Sequence, residues 1–299
     1  MPSQKYPRGF LPGDDQPDPE LSTLTTLREE DAHRMWQYLV LGGPDNAQNF
    51  MACAAHLVGF EIDYIEPCPV LPAGAYWPQS GAQGYAEVSK NWRSGQAVVP
   101  IIFYRALYLS GNLQVINDLV LAVQKAGLNP LPIFVASLKD PVSVAIVDGL
   151  LAQVQDPFAV VLNTTGFAIS NPGGDRVQTP FDAYKLVLLQ VVLSGGNFDD
   201  WQNKSWGLGP RDIAMNVALP EVDGRILSRA ISFKGLQERD PDTQCDIVAY
   251  QPVQDRVTFV AELAKGWARL RTLPNASKKI VIVLANYPNR DGRIGNGVG

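Results

Sequence analysis

Cysteine and histidine are scarce in this 299-residue chain, and their scarcity excludes several kinds of site. Three cysteines, at positions 53, 68 and 245, are too few and too scattered for a disulfide framework or a zinc site. With only two histidines, at positions 33 and 56, the chain has little material for a histidine-rich metal site or a Ser-His-Asp triad.

Three common catalytic and nucleotide-binding motifs are also missing. The chain has no G-x-x-x-x-G-K-[ST] sequence, which argues against ATP bound through a P-loop. It has no G-x-G-x-x-G between an early strand and a helix, and no G-x-S-x-G elbow. An ordinary dinucleotide enzyme and an α/β-hydrolase are therefore disfavoured.

Charge and hydropathy exclude two further classes of partner. The formal net charge is −5, whereas nucleic-acid binding calls for a basic face. No segment reaches the roughly 18 uncharged apolar residues of a membrane span. The opening residues MPSQKYPRGF lack the apolar core of a signal peptide, so we expect a cytoplasmic protein.

Apolar runs alternate with amphipathic segments and predict an α/β fold. Strands are predicted at 98–104, 131–137, 158–166, 186–195 and 278–286, and residues 213–225 are predicted to run from a strand into a turn. Amphipathic helices are predicted at 111–127, 141–155 and 252–273. Strands that are apolar on both faces indicate parallel sheets with helices on both faces. Given the chain length, two Rossmann-like lobes are favoured over one sheet.

Composition divides the chain into three regions. Residues 1–34 are rich in Pro and Asp without apolar periodicity, which predicts an extended N-terminal arm. Residues 35–95 hold a first α/β element followed by an irregular connection rich in Pro, Gly and Trp. Residues 96–299 form the main α/β region.

Polar residues follow the ends of the predicted strands. In parallel sheets ligands bind at the carboxyl ends of the strands, so these residues are candidates for contacts to a polar, anionic ligand. Strand-end amides and hydroxyls also serve as routine caps, which is the alternative role for each of them. The candidates for substrate contacts are Tyr104, Arg105, Asn163, Thr164, Gln190, Arg225, Asn286, Tyr287, Arg290 and Arg293.

Several motifs, in order along the chain, resemble one known family. They are GGPDNAQNF, VVPIIFYRALYLSGN, GLNPLPIFVASLKD, VLNTTGF, LLQVVLSGG, NVALPEVDGRI and ANYPNRDGRIGNGVG. Together they are similar to the cobaltochelatase and magnesium chelatase large-subunit family. The GRIGNGVG ending is more similar to the aerobic cobalt branch than to the magnesium branch. The resemblance covers the chain from about residue 11 onward.

The resemblance implies a function in tetrapyrrole metallation. The family's large subunit binds a corrin precursor or a porphyrin and is the place where the metal is inserted. In the cobalt branch the metal substrate is Co²⁺ and the ring is hydrogenobyrinic acid a,c-diamide, on the route to vitamin B12. ATP is hydrolysed by a partner, an AAA+ subunit, and a second smaller subunit completes the complex. The absence of a P-loop motif agrees with this division of labour.

The stretch PEVDGR supplies residue types that metal insertion needs. Insertion removes two pyrrole protons, and a carboxylate can accept a proton or hold Co²⁺ through oxygen. On an extended segment Glu221 and Asp223 share one face, so we expect both to act as catalytic residues and as metal ligands. Arg225 is expected to pair with a carboxylate of the ring. The glycine-rich loop at 292–299 fits two roles equally, an anion nest or a turn into a next domain.

The family's large subunit is much longer than this chain, which would then correspond to its N-terminal part. The resemblance places the family's histidine ligands mainly outside this part, so the isolated chain is expected to be inactive. Two alternatives remain open at this point. One is a magnesium chelatase-like subunit acting on a porphyrin. The other is a non-catalytic module that binds a tetrapyrrole or docks partner subunits.

Overall fold

A computed structural model describes residues 7–171 and 173–283. The helices of this part are α1 Pro19–Leu24, α2 Glu29–Leu41, α3 Pro44–Leu57, α4 Tyr85–Ser89, α5 Arg105–Leu109, α6 Gln114–Lys125, α7 Pro141–Leu151, α8 Phe198–Asn203, α9 Pro210–Ile213, α10 Leu219–Val222 and α11 Gln254–Thr272. The strands are β1 Ala73–Trp77, β2 Gly81–Gln83, β3 Val98–Tyr104, β4 Asn129–Val135, β5 Val161–Asn163, β6 Leu188–Ser194, β7 Ile226–Arg239 and β8 Asp246–Pro252.

The strands form one sheet in the order β2-β1-β4-β3-β5-β6-β7-β8. Its five middle strands, from β4 to β7, are parallel. Antiparallel pairing adds β1 and β2 at one edge and β8 at the other. The predicted α/β class and the parallel core are therefore confirmed.

Burial explains why the middle strands were recognisable in the sequence. Every residue of β4 and β6 is buried, and so is every residue of β3 except its last. One apolar layer packs the sheet against α6 and α11, and a second packs the opposite face against α7. Strands covered on both faces carry continuous apolar runs, because neither face meets water.

The preference for two lobes is corrected by the sheet itself. Strand β7 pairs in parallel with β6, so the second half of the chain extends the first sheet and does not start another. The predicted arm is also partly helical, since α1 and the start of α2 lie before residue 35. Strands β1 and β2 and helix α4 lie within the predicted irregular connection.

Two predicted strands differ from the structure. Residues 213–222 are helical and form, with α9, a single helical path through a π-helical turn at Ala214–Ala218. Residues 278–283 belong to no strand, and Ile280 to Val283 are 76–89% exposed. The remainder of that predicted strand, 284–286, lies outside the described residues. Among the described residues, no helix has the length and apolar character needed to cross a bilayer.

Candidate functional site

The order of the parallel strands creates a switch point between β3 and β5. The chain passes from β3 to β4 on one side, then crosses back to place β5 on the other side of β3. The loops after β3 and β5 therefore leave in opposite directions and open a crevice at their carboxyl ends, where such sheets bind ligands. Tyr104 ends β3 and Asn163 ends β5, so the predicted ligand edge falls at this crevice.

Three polar side chains and one backbone carbonyl form a buried network behind the crevice. Asn163 and Gln190 are neighbours across β5 and β6, and the Asn163 Nδ2 donates to Gln190 Oε1 at 2.9 Å. The carbonyl of Thr165 accepts from both amides, at 2.9 Å each. Arg225 Nη1 donates to the same carbonyl at 3.2 Å and to Gln190 Oε1 at 3.3 Å. The network fixes the loop after β5 to the sheet.

Asp223 and Arg225 form a salt bridge inside the protein. Arg225 Nη2 lies 2.9 Å from Asp223 Oδ2, and both side chains are at most 2% exposed. The carboxylate also accepts the N–H groups of Ile169 at 2.7 Å and Ser170 at 2.9 Å. Its oxygens thereby join the loop after β5 to the turn before β7. A charge pair this deeply buried keeps its strength only because its remaining lone pairs are satisfied.

The surroundings shift the ionisation of this pair and of the neighbouring tyrosine. Burial alone would raise the pKa of Asp223, but the two amide N–H groups and the Arg225 charge outweigh it and the pKa is lowered. Burial lowers the pKa of Arg225 against the opposing effect of Asp223. Burial raises the pKa of Tyr104, which keeps its hydroxyl protonated at neutral pH.

The geometric premise for a shared metal at Glu221 and Asp223 is wrong. Glu221 lies in α10 and is exposed, whereas Asp223 follows the helix end and is buried. Gly224 then turns the chain with φ +74°. Across the described residues, no cluster of three or more His, Cys, Asp or Glu side chains is arranged to hold a metal ion. The catalytic and metal-binding roles of these two residues remain predictions.

Two cavities open at the crevice, and the loop after β5 contributes to the walls of both. The smaller, of about 230 Å³, is lined by Tyr104, Ser137, Leu138, Lys139, Thr165, Gly166, Phe167, Ala168, Ile169 and Arg225. The larger, of about 400 Å³, includes Thr164, Gly195, Gly196, Arg211, Asp212, Met215, Lys234 and Tyr250 in its wall. Tyr104, Gly166 and Phe167 belong to both walls.

The structure separates the candidate substrate residues into three groups. Tyr104, Thr164 and Arg225 line a cavity. Asn163 and Gln190 are buried in the network and line neither. Arg105 turns away, because its Nη2 donates to the carbonyl of Val70 at 2.8 Å. Four candidates lie outside the described residues, together with the glycine-rich loop: Asn286, Tyr287, Arg290 and Arg293. None of these placements tests a role in binding.

Several residues that line the cavities are not among the candidates predicted from the sequence. Lys139 lines the smaller cavity, while Arg211 and Lys234 line the larger. Phe167 lies between the two, inside the quoted motif VLNTTGF. Phe167 is aromatic and lies four positions beyond β5, so it is not among the polar residues that directly follow the strands. Arg211 and Lys234 come from a helix and a strand that the sequence analysis did not assign.

Fold and site together define an α/β protein with a polar and aromatic crevice at the switch point of its sheet. The chain belongs to the CobN/Magnesium Chelatase family, whose model matches residues 36–299. This confirms the family resemblance read from the sequence motifs.

Individual relatives refine the comparison. The chain is 43% identical to an aerobic cobaltochelatase subunit CobN of Sinorhizobium sp, over 99% of this chain and 24% of that protein. It is 44% identical to the CobN of Pseudomonas aeruginosa, over 97% and 23%. Identity to the chloroplastic magnesium-chelatase subunit ChlH of Oryza sativa is 26%, over 96% and 21%.

A solved structure shares the fold. The catalytic subunit of cobaltochelatase from Mycobacterium tuberculosis superposes with a TM-score of 0.73 at 26% identity, covering 95% of this chain and 23% of that one. The chain therefore spans about a quarter of the length of the relatives it matches.

Proposed function

We propose that this chain forms part of the large, tetrapyrrole-binding subunit of an ATP-dependent cobaltochelatase. The complete enzyme would insert Co²⁺ into a corrin precursor, hydrogenobyrinic acid a,c-diamide. One observation carries the proposal: identity is 43–44% to two CobN subunits but 26% to a magnesium-chelatase H subunit over a similar span. That difference favours cobalt and a corrinoid over magnesium and a porphyrin.

The crevice supports a role in holding the ring. Pockets that enclose a drug-sized ligand measure about 300–1,000 Å³. The two cavities, of about 230 and 400 Å³, are too small to enclose a macrocycle of four linked rings with its side chains. They suit parts of such a ligand, its acidic side chains or one ring edge. We infer that the described residues form one wall of the pocket.

The chemistry of insertion needs a proton acceptor and a source of work. Two ring N–H protons must leave as the ion enters, and a carboxylate is a suitable acceptor. Glu221 is exposed and makes no described ion pair, so it is the better placed of the two proposed catalytic carboxylates. Asp223 is engaged with Arg225 and two backbone N–H groups. Its proposed roles as a catalytic residue and metal ligand would require that arrangement to open.

Partner subunits complete the proposal. The sequence has no P-loop motif, so ATP hydrolysis is assigned to an AAA+ partner subunit, with a second smaller subunit in the complex. We also infer that the complex works in the cytoplasm.

A metallation assay on the assembled complex tests the proposal. The complete large subunit carrying this chain is mixed with both smaller subunits, ATP, a metal and a ring, and insertion is followed by absorbance. We expect insertion of Co²⁺ into the corrin precursor and much slower insertion of Mg²⁺ into a porphyrin. The reverse preference would overturn the cobalt assignment. The isolated chain with Co²⁺ and the ring serves as the control. Metallation by the isolated chain would show that this chain carries a complete insertion site.

A further inference from the structure

Phe167 combines strain and exposure at the switch point. Its φ is +60°, in the left-handed region that non-glycine residues seldom occupy. The residue is nevertheless 47% exposed, so burial does little to offset the strain. Strained residues of this kind cluster at ligand sites, where the surrounding structure holds them in place.

Neighbouring elements hold the backbone on both sides of the ring. The Phe167 N–H donates to the carbonyl of Met215 at 2.7 Å, and the Tyr104 hydroxyl donates to the carbonyl of Gly166 at 3.1 Å. Met215 lies in the π-helical turn, an irregularity that is frequent at functional sites. The loop is therefore fixed at its backbone while its aromatic face stays uncovered.

Cationic residues line both of the cavities that Phe167 also lines. Lys139 and Arg225 line the smaller cavity, and Arg211 and Lys234 line the larger. Within the part of the chain that the structure describes, neither Lys139, Arg211 nor Lys234 takes part in a salt bridge. The Arg225 side chain is buried, and its Nε–H has no hydrogen-bond partner among the residues that the structure describes. Such an orphan donor beside a cavity is suited to an anionic ligand group.

Carboxylates near the cavities are already neutralised or hydrogen-bonded. Asp212 lines the larger cavity, but its oxygens accept from the Ser194 hydroxyl at 2.6 Å and the Gly195 N–H at 3.1 Å. Asp223 is paired with Arg225. Flat rings stack well on exposed aromatic faces, and carboxylates pair with cations. The two cavities therefore match a flat ring that carries acidic side chains.

We propose that Phe167 is a stacking platform for one face of the macrocycle, and that the flanking cavities receive its acidic side chains. Lys139 would contact a carboxylate on one side, and Arg211 and Lys234 on the other. This inference rests on the proposed function and deepens it, because it assigns ring contact and side-chain contact to different residues.

Equilibrium binding separates a ligand contact from a structural role. Hydrogenobyrinic acid a,c-diamide, and separately a porphyrin dicarboxylate, are titrated into the chain while tryptophan fluorescence is followed. Phe167→Gly removes the ring and also relieves the left-handed strain. We expect its Kd for the corrinoid to rise at least tenfold while its Tm is unchanged or higher. Phe60→Ala, at an exposed phenylalanine that lines neither crevice cavity, is the matched control and should leave Kd unchanged.

The proposed contacts of the lysines are tested by comparing binding of the acidic ring with binding of its amidated form. Lys139→Gln and Lys234→Gln are expected to weaken binding of the acidic ring several-fold. They should have little effect on the same ring with all side chains amidated. Lys125→Gln, on the exposed side of α6, is the control. Equal losses for both forms of the ring would contradict the assignment of these lysines.

The outcomes distinguish this inference from the proposed function. If the wild-type chain binds the ring and Phe167→Gly binds it equally well, the stacking platform is refuted and the proposed function stands. If the wild-type chain binds neither ring, the described residues do not form a ring contact and the inference fails. The metallation assay on the complete complex then decides the proposed function independently.

Discussion

At the scale of single residues, Asp223 and Arg225 show that side chains suited to a ligand can also be structural partners of each other. The sequence suggested that both face the substrate, because carboxylates and arginines suit metal and anion contacts. The structure instead pairs them with each other at 2.9 Å inside the protein. Asn163 and Gln190 follow the same course, since their amides bond to each other across adjacent strands. A sequence shows which residues can bind polar partners, but the partner is chosen by the fold.

Replacing Arg225 should destabilise the chain strongly. Arg225→Met leaves the Asp223 carboxylate buried without its cation, and breaking a buried pair in this way costs about 3–5 kcal/mol. Arg239→Met is the matched control, because Arg239 pairs with Asp246 at the surface. Exposed pairs contribute at most about 1 kcal/mol. Urea unfolding of both variants at pH 7 measures the difference, and similar losses for the two would contradict the structural role of Arg225.

The pH dependence of stability provides a second test of the pair between Asp223 and Arg225. Because the pKa of Asp223 is lowered in the folded protein, its contribution to stability is present above the unfolded pKa of about 3.9. That contribution is lost as pH falls through the folded pKa. In Arg225→Met the pKa of Asp223 in the folded protein is lowered less, because the cation is gone. The variant therefore loses less stability in acid, and the free energies of unfolding of wild type and variant should converge below pH 4. A constant gap down to pH 2.5 would contradict the pairing.

At the scale of elements, the helical path through residues 210–222 is the main error of prediction. Its apolar residues resemble a strand, since short apolar runs fit either element. Pro220 lies two residues after the π-helical turn, at the start of α10. The strands β3, β4 and β6 were predictable because burial on both faces requires continuous apolar runs. Strands β1 and β2 were not, because they are short and lie among Pro and Gly residues.

Gly166 tests how closely this helix packs on the loop after β5. A Cβ at Gly166 would lie 3.0 Å from Asn216 Oδ1 and 3.1 Å from the Met215 carbonyl oxygen. The backbone atom cannot move without disturbing the π-helical turn, so Gly166→Ala should cost about 1–3 kcal/mol. Gly149→Ala in α7 is the control, because no other described group, apart from the adjoining backbone of α7, lies within 4 Å of the added methyl group.

The control is expected to change stability in the opposite direction. Alanine in a helix restricts the unfolded chain more than glycine does, which favours folding by about 0.4–1 kcal/mol. Thermal unfolding of both variants shows the contrast directly. A neutral or stabilising Gly166→Ala would mean that the loop and the π-helical turn are not in close contact.

At the scale of the whole molecule, sequence patterns were sufficient for the class but not for the site. The parallel core followed from the apolar runs, and the polar residues after them predicted a ligand edge at the crevice. The single sheet did not, because pairing of β7 with β6 depends on contacts between distant parts of the chain. Phe167 escaped notice for a related reason. Its proposed role rests on a positive φ and on its place in the walls of two cavities, which no spacing in the sequence reveals.

The free energy of unfolding, measured with each ligand in turn, distinguishes ring binding from metal binding by the whole molecule. A ligand that binds only the folded state raises the free energy of unfolding by about 2.7 kcal/mol at 100 times its Kd. We expect this increase with the corrin precursor, measured by urea unfolding. Co²⁺ alone should produce none, because the described residues contain no cluster of three or more candidate ligands. Stabilisation by Co²⁺ without the ring would instead show that this chain carries a metal site of its own, with Glu221 as a candidate ligand.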